Sequence, residues 1–125
     1  MDLDQSILES IKEMLGIVEQ DTSFDGALCS HINACFTTLN QLDVGPDEGF
    51  MIAGSSEKWR DFIPEIILAT MVREYIHTKV RMIFDPPGSS VVADAFNQRA
   101  AELEWRMNIQ AERLAALAEE EGAAP

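Results

Sequence analysis

The sequence predicts an all-α fold, a small bundle of about four main helices with a long C-terminal helix after a Pro-Pro elbow. Three observations predict it. Apolar residues recur at three- and four-residue spacing in four separate stretches, the period of a helix face. Capping and stop residues stand at the ends of those stretches. Asp85-Pro86-Pro87-Gly88 then separates the two longest stretches more sharply than anything else in the chain.

The first helix is announced by Ser6-x-x-Glu9, a capping-box pattern, ahead of Ile7, Leu8, Ile11, Met14 and Leu15. Gly16 is its expected stop. A helix this short rarely stands alone, so it should lie on something. Asp21-Thr22-Ser23 offers caps for a second helix, expected from about Phe24 to Leu42, with Leu28, Ile32, Cys35, Phe36, Leu39 and Leu42 on one face. Asp43 to Gly49 is turn chemistry and ends it. Phe50 to Ala53 reads as a short extended segment, and Gly54-Ser55-Ser56 as the cap of a single turn carrying Trp59 and Phe62.

Pro64 suits the first turn of a third long helix. Its stripe is Leu68, Met71, Val72, Tyr75, Ile76, Val80 and Ile83. Pro86 and Pro87 end it, because proline lacks a donor and disfavours helix in the residue before it. Ser89 or Ser90 can cap the last helix, expected from about Val91 to Leu117. Its seam is Phe96, Ala100, Leu103, Met107, Gln110, Leu114 and Leu117.

A chain of 125 residues suits one domain, expected over residues 1–117, with 118–125 as a flexible acidic, Ala-rich tail. Nine basic against 22 acidic residues give a net charge of −13. A free-standing nucleic-acid binder needs a clustered basic face, and anionic lipid demands the same, so both are disfavoured. No apolar run approaches a membrane span, and "MDLDQSILES" lacks the basic start and apolar core of a signal peptide. Cys29 and Cys35 lie six helical steps apart, about 9 Å of rise, too far for a disulfide.

The residues offer no catalytic or metal-binding constellation. "DPPGSS" has one glycine and lacks the lysine and spacing of a phosphate loop. His31 and Cys35 share a helix face, but two ligands do not close a zinc site. The expectation is therefore a non-enzyme with no metal and no cofactor.

The last helix is the informative one. Trp105 and Ile109 stand one turn apart yet off the apolar seam. Arg99, Arg106 and Arg113 recur every seven residues as a basic row. Two placements are open: Trp105 caps the core of its own chain, or Trp105, Ile109 and the row meet a neighbouring subunit.

"FDPPGSSVVADAFNQRAAELEWRMNIQAE", Phe84 to Glu112, resembles the head–tail connector proteins of long-tailed phages and prophages. In that family a helix ends at Asp-Pro-Pro and the next carries a Glu-x-x-Trp-Arg segment followed by Asn, here Asp85-Pro86-Pro87 and Glu102 to Asn108. "LNQLDVGPDEGFMI", Trp59 to Phe62 and "SILESIKEMLGI" are similar to the family too, in the same order. The tail after Glu112 departs from it. The resemblance implies a virion protein, made in the host cytoplasm, that assembles as a ring, dodecameric in the family, beneath the portal protein. It implies a further adaptor or tail-completion protein as the next partner, genomic DNA passing through without sequence-specific binding, and no membrane. An alternative from charge alone is an acidic DNA mimic or regulator that fills a basic groove of a partner.

Overall fold

The computed structural model describes residues 1–123 and is all-α, with no strand among the described residues. Five helices follow one another: α1 (Ile7–Met14), α2 (Asp25–Gln41), α3 (Trp59–Phe62), α4 (Ile66–Phe84) and α5 (Ser90–Ala123). A single isolated bridge pairs Ser6 with Lys58.

α1 starts where its cap chemistry places it. The Ser6 hydroxyl accepts a hydrogen bond from the Glu9 amide at 3.2 Å. It ends at Gly16, whose φ of +78° suits glycine. α2 lacks a side-chain cap and begins one residue later than the expected Phe24, which instead packs edge-on against Phe84 at 5.0 Å. The connector after α2 turns through Asp43, Gly45 and Gly49, all at positive φ. A Cβ on Gly45 would overlap the Phe62 ring, so this turn must be close to the core. Phe36, Phe50 and Phe62 cluster there, with ring centroids 4.7 to 5.3 Å apart.

The segment expected to be extended, Phe50 to Ala53, forms no strand. Asn33 holds it by mimicking a backbone partner. Its side chain donates to the Ile52 carbonyl at 2.9 Å and accepts from the Ile52 amide at 2.8 Å. Gly54-Ser55-Ser56 does not cap α3. The cap is Lys58, whose amide donates to the Asp61 carboxylate at 2.9 Å. Pro64 also lies outside its helix, because Glu65 is the cap of α4 and accepts from the Ile67 and Leu68 amides.

The core joins all five helices and includes Ile11, Leu28, Phe36, Trp59, Val72, Tyr75 and Leu103. One charge lies inside it. Lys12 is only 1% exposed, and its ammonium lies 3.0 Å from the Asp25 carboxylate and donates to the Glu19 carbonyl at 3.1 Å. A buried ammonium is tolerable only when paired in this way.

α4 ends at Phe84 and α5 begins at Ser90, so Asp85-Pro86-Pro87-Gly88 is the elbow between the two longest helices. Gly88 is not among the positive-φ glycines, so the turn does not draw on glycine's left-handed freedom. The prolines and the Ser89 carbonyl, which accepts the Ala93 amide at 3.0 Å, define the bend. At its other end α5 runs beyond the expected Leu117 to Ala123, through Ala and Glu residues that favour helix without needing burial. Residues 124–125 of the expected flexible tail lie outside the described residues.

Candidate assembly surface

α5 presents two faces of different character. Ala100, Leu103 and Met107 are buried against the bundle. Phe96, Gln110 and Leu114 are half-buried and Leu117 is exposed, so the expected seam is deepest in its middle. Three polar ties set the pitch of α5 on α4. The Arg99 guanidinium donates to both Glu74 carboxylate oxygens, at 2.8 and 3.0 Å. The Tyr75 hydroxyl donates to Glu104 at 3.0 Å. The Arg81 guanidinium lies over the Phe96 ring, 5.1 Å from its centroid. Burial and the Glu104 carboxylate together push the Tyr75 hydroxyl well above its ordinary pKa.

Asn108 adds a tie to α2. Its amide donates to the Leu42 carbonyl at 2.9 Å, satisfying an acceptor left open at the end of that helix. Sequence reading marked Asn108 only as the close of the Glu102-to-Asn108 motif and gave it no partner.

The opposite face of α5 carries Trp105 and Ile109. Trp105 is 64% exposed and Ile109 44%. Of the two placements open to Trp105, the structure realises the outward one: this side chain does not cap the core. A tryptophan left in water at mid-helix is unusual in a chain that buries its other one, Trp59, completely.

The arginine row is not uniform. Arg99 is engaged within the chain, with Glu74 and with Glu102 at 3.1 Å. Arg106 pairs one turn back with Glu102 at 2.8 Å, on the surface. The Arg106 and Arg99 guanidinium groups hold the Glu102 carboxyl below its usual range. Arg113 forms no ion pair among the described residues. Arg106 and Arg113 therefore flank the Trp105–Ile109 patch as exposed cations, while Arg99 orients the helix that carries them.

No group of three or more His, Cys, Asp or Glu residues able to hold a metal ion occurs among the described residues. His31 and Cys35 line a small cavity of about 110 Å³ with Val80 and Ile83. Burial raises the Cys35 thiol to about 11, which makes it a poor nucleophile or ligand. No helix among the described residues is long and apolar enough to cross a membrane.

A family model described as "Phage connector protein" matches residues 7–114, which spans all of α1 to α4 and most of α5. No curated protein and no solved structure matches the chain.

Proposed function

The chain belongs to the phage connector protein family, and from that premise we propose that it is a ring-forming subunit at the junction of head and tail. Membership makes it a bacteriophage structural protein that works among other head and tail proteins. The finer reading is that copies assemble beneath the portal, lengthen the DNA channel and offer a platform to the next adaptor or to the tail. It acts without cofactor or catalysis.

The observation that carries this reading is the outward face of α5. Trp105 and Ile109 are exposed, flanked by Arg106 and Arg113, on a helix whose opposite side already fills its own core. Such a face suits an interface with a neighbouring subunit or partner, where Trp and Arg are frequent anchors. Arg99 and the Asp85-Pro86-Pro87-Gly88 elbow set the angle at which that face is offered. A charge of −13 keeps free copies apart at long range and suits a bore through which DNA slides without adhesion.

Cryo-electron microscopy of the purified chain mixed with its phage's portal tests the proposal. Rings, or new density beneath the portal, are expected. Their absence, with a cellular DNA-binding protein captured instead, would favour the DNA-mimic reading.

A further inference from the structure

The groove formed by α1 and the loop that follows it has no occupant in the chain. It measures about 590 Å³ and is lined by Glu9, Glu13, Ile17, Val18 and Glu19 among others, with no residue from α5. Val18 is 64% exposed, an apolar side chain held in water among three carboxylates. Lys12, the cation closest in sequence, is turned inward to Asp25 and the Glu19 carbonyl. Glu13 and Glu19 form no ion pair among the described residues.

We propose that this groove receives the Trp105–Ile109 face of the next copy of the chain, so that α5 of one subunit lies along α1 of its neighbour. The inference rests on the ring reading above and adds which two surfaces meet. The patterns are complementary. One surface has two apolar side chains, Ile17 and Val18, bordered by carboxylates. The other has two apolar side chains, Trp105 and Ile109, bordered by Arg106 and Arg113. Trp105 is 64% exposed in its own bundle, so its ring is free to meet another molecule.

Charge favours the α5 face meeting the groove over either surface meeting its own copy, carboxylate on carboxylate or guanidinium on guanidinium. A reciprocal two-fold exchange would stop at a dimer, which the ladder test below separates from a repeating contact. A head-to-tail contact pairs opposite charges at every junction, and its repetition gives a ring where the rotation between copies closes. A second groove, where Phe62, Leu68 and Leu114 meet below Asp43 and Asp47, is more apolar. It is built partly from α5 itself, so it moves with the donor helix and is the weaker acceptor.

The test uses particles of the phage that encodes the chain, in which the full chain is already assembled. A Val18→Cys, Ile109→Cys double variant is oxidised and run without reductant. A ladder of chain multiples is expected, with neither single variant extending past a dimer. Particles that contain the variant but give no ladder overturn the groove assignment, as does a ladder obtained instead with Asp47→Cys, on the rim of the second groove, and Ile109→Cys. Particles that lack even the native chain overturn the ring reading itself, so the two failures are distinct.

Charge reversal gives a second measurement. Glu13→Arg with Glu19→Arg, or Arg106→Glu with Arg113→Glu, should each lower incorporation about tenfold, and combining all four should restore it to within about twofold. Unchanged circular dichroism of each free variant shows that folding is not the cause. Failure of the combined variant to recover, with both pairs folded, also overturns the assignment.

Discussion

The joint between α1 and α2 and the joint between α4 and α5 are held by opposite chemistry. At the first, one ammonium is sealed in the core, with Asp25 and the Glu19 carbonyl as its partners. At the second, the ions stay wet: Arg99 and Glu74 are 41% and 42% exposed. Breaking a buried pair strands a charge, whereas breaking a wet pair returns two charges to water. The first joint is therefore rigid by penalty. The second is adjustable, which suits a helix that must meet a partner.

The sharpest way to break this comparison is Asp25→Ala, which leaves the buried Lys12 ammonium with only the Glu9 carboxylate, 4.0 Å away, and the Glu19 carbonyl. It should cost about 3 kcal/mol or more, whereas Lys12→Met, which removes the charge and keeps the volume, should cost about 1 kcal/mol or less. Denaturant unfolding measures both, and equal losses would sink the claim that the stranded charge dominates.

Next comes pH. Burial, then the neighbouring Arg81, lowers the His77 pKa below its ordinary 6.5, against the pull of Glu74 and the Met14 carbonyl. The unfolded chain then binds the proton more readily than the folded one. His77 thus contributes stability that is full above pH 6.5 and lost as pH falls through the folded value. Melting temperature should decline on acidification below pH 6.5, and His77→Gln should flatten that decline. An unchanged slope in the variant would assign the acid sensitivity to other groups.

Two smaller effects sharpen the contrast. Arg99→Ala should cost under about 1 kcal/mol, because the pair it breaks is solvated, and salt should shrink the cost further. Trp105→Ala should change the free chain by no more than about 0.5 kcal/mol, since so little of the ring is buried, while abolishing assembly. A free variant that unfolds would return Trp105 to the core.

Where sequence reading succeeded, the signal was local. Ser6, Gly16 and the Pro86-Pro87 pair act within a few residues of themselves, so the limits of α1 and the end of α4 were legible. Periodicity gave the relative angle of Trp105 and the seam, but not whether another element covers that angle, so its exposure stayed open. The Asn33 clamp on Ile52 and the Asn108 tie to Leu42 link residues 19 and 66 positions apart, and no spacing rule reaches that far. The last turns of α5 were missed for the opposite reason. They bury nothing, so they leave no apolar period, and only helix propensity sustains them. For the assembly surface, the outward residues were legible, while the division of labour between Arg99 and its two companions required Glu74 to be placed in space.

The two tryptophans have a practical consequence. Trp59 is sealed in the core and Trp105 stands in solvent, so the chain carries two optical probes that answer different questions. With Trp105→Phe, the remaining emission follows unfolding alone. In the native chain, a blue shift without any change in helicity reports that Trp105 has left water. Folding and joining can thus be timed separately in one molecule, without attaching a label.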